Sequence, residues 1–266
     1  MHFLKTAFAT VSLIATAQVA PASGTASLQA IGLSGDNMLH VINTETATVT
    51  ASMPVKGVDR LLGIDLRPAT GQLIGVTSTF DIVEIDIATG DATVISTMDK
   101  ELPVTDGAPV IVDFNPMANK LRFMSGTTNH RVDIESGAVT VDGSLAFEGA
   151  DMHAGEAPAI AAAAYINSYG TPDKTAMFDI DSTIVALIQQ TSPNDGTLAA
   201  IGKLGIEASE TYAFDIATDA EGTNTAWLAT GGTLNTVSLE TGKIMESWEI
   251  SGAEAALRDI TILTAK

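Results

Sequence analysis

Apolar residues along this chain fall in short β-branched runs, such as Met38-Leu39-His40-Val41-Ile42, Gln72-Leu73-Ile74-Gly75-Val76, Ile82-Val83-Glu84-Ile85-Asp86-Ile87 and Thr233-Leu234-Asn235-Thr236-Val237-Ser238-Leu239. Runs of this length, bounded by turn residues, predict strands. Helical periodicity is hard to find. Ala157 to Ala164 is rich enough in Ala to tempt a helix assignment, yet Pro158 interrupts it, and the segment is read as strand.

The runs repeat as a unit. An apolar strand carrying an Asp before a turn occurs at Gly63-Ile64-Asp65-Leu66-Arg67-Pro68, Val112-Asp113-Phe114-Asn115-Pro116, Phe214-Asp215-Ile216-Ala217 and Arg258-Asp259-Ile260-Thr261. A fifth copy, Ala164-Tyr165-Ile166-Asn167, has the strand without the Asp. These anchors recur at roughly 44 to 51 residues, the period of a four-stranded propeller blade with generous loops. Turns at Asn43-Thr44-Glu45-Thr46, Ala88-Thr89-Gly90-Asp91, Glu135-Ser136-Gly137-Ala138 and Glu240-Thr241-Gly242-Lys243 mark the hairpin between the two outer strands of a blade. Full units begin near Leu61, Pro109, Pro158 and Thr211, whereas the chain enters in mid-unit at Leu28 and finishes on one anchor strand, Leu257 to Leu263. The prediction is an all-β, five-bladed β-propeller over residues 28–266, a single domain closed by pairing of the N- and C-terminal segments. Six blades are the alternative, if residues 140 to 200 hold an extra hairpin pair.

Residues 1–22 read differently. Lys5 supplies a positive start, Ala7 to Ala17 is apolar, and small residues follow at Ala15-Thr16-Ala17 and Ala20-Pro21-Ala22, the pattern of a cleaved secretory signal. A secreted or periplasmic protein is expected. The chain has no Cys, so no disulfide framework stabilises it. Charge is lopsided, with 13 Lys plus Arg against 32 Asp plus Glu and a formal net charge of −19. That balance makes nucleic acid and anionic membrane surfaces poor partners. No membrane insertion is expected, and a monomer is.

The strings Ile64-Asp65-Leu66-Arg67-Pro68-Ala69-Thr70-Gly71-Gln72-Leu73, Asp113-Phe114-Asn115-Pro116, Leu121-Arg122, Ala163-Ala164-Tyr165, Pro193-Asn194-Asp195-Gly196-Thr197-Leu198 and Phe214-Asp215-Ile216 together resemble the bacterial secreted proteins grouped as domain of unknown function family 4394. The resemblance runs from about Leu28 to the end and implies a propeller-like exported domain with no established activity. One stretch departs from it. Where such proteins tend to carry Asn-Leu-Arg-Leu-Asn-Pro-Asp-Thr-Gly, this chain has Asn129-His130-Arg131-Val132-Asp133-Ile134-Glu135-Ser136-Gly137, so Asn129, Arg131 and Gly137 carry over and His130 does not.

Candidate chemistry is sparse. The chain holds no Gly-x-Ser-x-Gly elbow, thiol, zinc helix, P-loop or Rossmann glycine pattern. The best metal candidate is the long loop Glu148 to Glu156, where Asp151, His153 and Glu156 offer oxygen and imidazole ligands to a divalent cation such as calcium, although the spacing matches no strong metal motif and a solvated acidic loop is the favoured reading. Asp151 and Ala154-Gly155 also fit the family pattern. Asp219-Ala220-Glu221-Gly222-Thr223-Asn224 is faintly like a calcium loop, but it lacks the bidentate Glu and reads as an Asx turn. The repeated Asp65, Asp113, Asp215 and Asp259 could form a carboxylate ring around a central channel. Repetition favours a structural role instead, the satisfaction of backbone N–H groups in the turn that follows the anchor strand. Ligand-binding candidates are Arg67, Arg122, Asn129, Arg131 and Asn167, since Arg suits a carboxylate or sugar-acid ligand; inter-blade ion pairing is the competing role for the Arg residues, Arg258 among them. Trp227 and Trp248 fall at core spacing and read as packing residues.

Three functions are compatible with these features. One is an exported, non-enzymatic propeller binding a small molecule, glycan or protein at one mouth of the ring, with Asn167 to Lys174 and Ser192 to Gly196 crowding that mouth. The second is a metal-dependent hydrolase using carboxylates in the channel. The third is a structural cell-surface interaction module. No cofactor is required by the first and third.

Overall fold

The computed structural model describes residues 28–105 and 107–263, and the N-terminal segment read as a signal lies outside them. Among the described residues there is no helix, hence none long and apolar enough to cross a membrane. The chain forms five small sheets. The first blade is β1 (Gln29–Ser34), β2 (Met38–Asn43) and β3 (Thr48–Pro54); the second is β4 (Leu61–Leu66), β5 (Leu73–Thr77), β6 (Asp81–Ile85) and β7 (Ala92–Thr97). The third is β8 (Ile111–Asn115), β9 (Lys120–Ser125), β10 (Thr128–Val132) and β11 (Val139–Val141). In the fourth, β12 (Ala146–Phe147) precedes β13 (Ile160–Tyr165), β14 (Met177–Asp181), β15 (Ala186–Ser192) and β16 (Thr197–Lys203). The fifth is β17 (Tyr212–Thr218), β18 (Asn224–Thr230), β19 (Thr233–Val237) and β20 (Ile244–Glu249), after which β21 (Leu257–Leu263) joins the first sheet beside β1.

This is a five-bladed propeller, closed as expected by pairing the last strand with the first. Residues 140 to 200 hold no sixth blade. Their surplus is β12, which adds a fifth strand to blade four by parallel pairing with the outer strand β16.

Side-chain burial explains the sequence pattern. The inner strands β4, β8, β13, β17 and β21 contact one another around the ring and are covered on both faces, so they read as nearly unbroken apolar runs. Outer strands such as β7 and β20 lie open, with Val94 and Met245 more than half exposed. The buried side chains divide into five clusters, one at each junction between adjacent blades; Ile31, Leu33, Leu61 and Ile64 seal the first against the second, for example. Trp227 and Trp248 pack on each other in the fifth blade with ring centres 6.0 Å apart. No Cys contributes, so stability rests on these interfaces and on the bonds that cross them.

Candidate functional site: a wide mouth and an acidic throat

The five inner strands run side by side around the axis, and the space between them differs at its two ends. Where the strands begin there is a cavity of about 790 Å³. Leu62, Val110, Ala161 and Tyr212 line it from the inner strands or the residues entering them, and the connector between β7 and β8 supplies much of the wall through residues 101–105 and 107–110, including Val104 and Thr105. Ser78, Ser182 and Ser209 add hydroxyls. Phe80 reaches it from the turn between β5 and β6 with φ at 61°, a left-handed conformation unusual for a bulky residue. Two Arg residues also border the mouth. Arg258 is consumed internally, donating to the carbonyls of Gly35, Asp36, Leu61 and Leu62 and so tying the closing strand to blades one and two. Arg60 is half exposed and, among the described residues, makes only a 3.7 Å pair with Asp36, which leaves its guanidinium available.

Three residues further along the same strands, about 10 Å at the rise of an extended chain, the channel narrows to a throat. Its cavity is about 10 Å³, lined by Asp65, Asp113, Asp215, Tyr165, Ser168 and Thr261 among others. One water molecule or one ion fills such a space. The anchor acids meet here because each inner strand must join the next. Asp65 accepts from Phe114 N at 2.7 Å, Asp113 from Tyr165 N at 3.0 Å, Asp215 from Ile262 N at 2.6 Å and Asp259 from Ile64 N at 2.7 Å. Asp65, Asp215 and Asp259 also accept from the N–H of the residue that follows them. The backbone-satisfying role expected from repetition is present, but the bonds reach across to the neighbouring blade as well as into the local chain. Blade four has no Asp at this place and substitutes another device: Ser168 donates through its hydroxyl to Ile216 O and through its N–H to Thr218 Oγ1, while Asn167, held at φ 62°, pairs with Asn224.

The electrostatics follow from burial. Asp65, Asp113 and Asp215 each bring one carboxylate oxygen within 4.8 Å of the other two. Burial, and then the charge of Asp215, hold Asp65 well above the usual carboxylate range; burial, and then Asp65 and Asp215, do the same to Asp113. Burial pushes Asp215 up to about 6 and Asp259 to about 7, against the pull of their backbone donors.

The other predicted site residues lie away from both ends or are engaged in joining blades. Arg67 bonds Asn119 Oδ1 and Glu135 across the junction of blades two and three. Arg122 is fully buried and serves Asn129, Asp142, Tyr165 and Asn194, linking blades three and four. Arg131 makes a two-point pair with the same Asp142, and Asn129 donates to Gly143 O and Pro193 O. Asp151 spends one oxygen on His153 N and the other on Ala200 N, while His153 Nδ1 meets Glu156 Oε2 at 3.0 Å. The three residues of that loop are not gathered around one point; among the described residues the convergent group is the throat triad. Asp219 caps Glu221 N and Thr223 N in an Asx turn. Of the loops expected to crowd a mouth, Ser192 to Asn194 stand beside Tyr165 and Asn115, and Ser168 lines the throat. Sequence reasoning missed the mouth because no motif marks it; the long unrepeated connector with Pro103 and Pro109 was the available signal.

Comparison with other proteins bears on the fold. No curated protein matches the sequence. A protein of unknown function from Bacteroides thetaiotaomicron is similar in structure, with a TM-score of 0.52 at 12% identity over 91% of this chain and 68% of that one. A luciferin-regenerating enzyme aligns at 0.48 and 13% identity over 88% and 78%, and a protein of unknown function from Bacteroides caccae at 0.43 and 13% over 86% and 76%. The sequence itself matches a described family across most of its length, residues 32–261, and the chain belongs to that family, the domain of unknown function DUF4394.

Proposed function

We propose that this protein is an exported propeller that binds a small organic ligand in the mouth cavity without turning it over. The mouth carries the reading. Its volume of about 790 Å³ falls in the range of small-molecule sites, and it combines apolar walls with a few hydroxyls and one available guanidinium, that of Arg60. Export rests on the pattern of residues 1–22. The clustered acids of the throat face room for one water, about 10 Å from the mouth, and the carboxylates that border the mouth itself, Glu101 and Glu210, are both exposed at its rim. A glycan would favour exposed aromatic platforms, and both Trp residues are packed against each other in blade five.

The test uses 1-anilinonaphthalene-8-sulfonate, an apolar aromatic body with one anionic group. Saturable fluorescence enhancement with one site per chain is expected well below the unfolding temperature. Ser209→Trp, at a half-buried rim position, should weaken binding at least tenfold by filling the cavity. Binding that never saturates, or that Ser209→Trp leaves unchanged, would sink the proposal.

A further inference from the structure

Given the small-molecule site proposed above, on which this rests, we infer that the mouth takes an aromatic acid, whose anionic group meets Arg60 beside Arg258 and whose ring packs on Phe80. Charge points to the acid. The chain has five Arg among 32 acidic residues, and three of the five hold a carboxylate at close range: Arg67 with Glu135 at 2.8 Å, Arg122 with Asp142 at 2.7 Å and Arg131 with Asp142 at 2.6 Å. The two that border the mouth do not. Arg60 stands 3.7 Å from Asp36, and Arg258 gives its bonds to four neutral carbonyls, with no ion pair among the described residues. Burial lowers the basicity of Arg258, and the nearby charge of Arg60 adds to that, against the pull of Asp259. Two like charges held close together and short of counterions favour an anion between them and the solvent. Glu101 and Glu210 also border the cavity, but both are exposed, where water and salt screen them.

Backbone conformation points to the ring. The hairpin between the second and third strands of each blade turns on a left-handed residue, and blades one, three and five place Gly35, Gly126 and Gly231 there, at φ 53°, 57° and 57°. Blades two and four accept a side chain at that cost, Phe80 at φ 61° and Val185 at φ 50°. Val185 packs into the cluster between blades four and five and does not line the cavity. Phe80 does line it, half-buried, in a T-shaped contact with Phe123 at 6.2 Å between ring centres. A ring braced in this way is a rigid surface on which a second ring can pack. Ring and guanidinium belong to one wall, because Ser78 N donates to Arg60 O at 2.9 Å and so holds the turn that carries Phe80 against the residue that enters β4. A flat aromatic body with an acid group at its edge meets both.

The decisive experiment is competition against 1-anilinonaphthalene-8-sulfonate on the full chain by four compounds: 2-naphthoate, its neutral amide 2-naphthamide, the saturated acid decahydro-2-naphthoate and the cation 2-naphthylmethylammonium. 2-Naphthoate should bind about tenfold tighter than the amide and about threefold tighter than the saturated acid. Arg60→Gln, which keeps the backbone bond to Ser78, should bring 2-naphthoate to within about twofold of the amide. Phe80→Leu should likewise close the gap between the aromatic and saturated acids, a ratio that any loss of folded protein leaves untouched. An amide or cation that binds as tightly as the acid, or an acid preference that survives Arg60→Gln, would overturn the assignment of charge. Decahydro-2-naphthoate matching 2-naphthoate, or an aromatic preference that survives Phe80→Leu, would overturn that of the ring. Saturable dye binding blocked by Ser209→Trp, with no preference among the four compounds, would leave the mouth a ligand site and overturn the aromatic acid alone; no saturable dye binding would overturn both.

Discussion

The mouth and the throat are lined from the same five strands, yet they are built on opposite logic. Throat residues repeat: four of the five inner strands contribute an Asp that bonds the next strand's backbone. Mouth residues do not repeat, and Leu62, Val110, Ala161, Tyr212 and Arg258 occupy corresponding places with five different side chains. A problem shared by every blade, the joining of one inner strand to the next, selects one solution and copies it. A surface that faces a ligand has no reason to be symmetric. The difference therefore separates what holds the ring from what the ring presents.

The sharpest way to break this contrast is to delete a throat acid. Asp65→Ala strands the N–H groups of Phe114 and Leu66 and the hydroxyl of Thr261, and relief of repulsion from Asp215 offsets only part of that loss. A destabilisation of about 3–4 kcal/mol is expected from denaturant unfolding, against about 0.5 kcal/mol or less for Glu101→Ala at the exposed mouth rim. Equal losses at the two positions would contradict the division of labour.

Asp179 sharpens the comparison as a buried acid that no other blade repeats. It receives a single bond, from Gln190 Nε2 at 2.9 Å, and its Oδ1 is unsatisfied. Burial raises it to about 7, above the value of about 3.9 in an unfolded chain. The folded protein thus holds a proton that the unfolded one has lost, so stability falls as pH rises through this window and the deficit is complete above about 7. Asp179→Asn should be neutral near pH 4 and should stabilise the protein by about 2 kcal/mol at pH 8. That is about half of what a gap of roughly three pH units carries at 1.36 kcal/mol each. Melting curves across pH 4 to 8 would show the variant and parent diverging with rising pH; parallel curves would mean that Asp179 is ionised at no cost.

The ring was legible in the sequence because its cause is periodic. Anchor strands about a blade apart, Gly-bearing hairpins such as Thr89-Gly90 and the orphan strand at Leu257 all encode local geometry that recurs. The acids' structural role was legible for the same reason. Their convergence was not, since the distance between Asp65 and Asp215 depends on the number of blades and the tilt of each strand toward the axis, which no local pattern records. Arg122 shows the same limit: its charge stood out, but Asp142, Tyr165 and Asn194 reach it from 20, 43 and 72 positions away. The mouth was illegible because its residues are individually ordinary and become a site only through their shared position.

Gly63 offers the finest test of how tightly the throat end is drawn together. Its φ is not left-handed, so an Ala there meets no backbone penalty, and whatever it costs measures crowding alone. A methyl group at this position would stand 2.6 Å from Val112 Cγ2 and 2.8 Å from Asp259 Oδ2. Neither neighbour can easily withdraw: Val112 also presents its Cβ at 2.9 Å, and Asp259 Oδ2 is held by Ile64 N. Gly63→Ala should destabilise by about 1–2 kcal/mol through overpacking. Val112→Ala, which removes the nearest contact, should cost less in the Gly63→Ala background than in the parent, giving a favourable coupling in a double-mutant cycle. Additive losses would show that the second and third blades yield at this contact, and that the approach of β4 to its neighbours is set elsewhere in the ring.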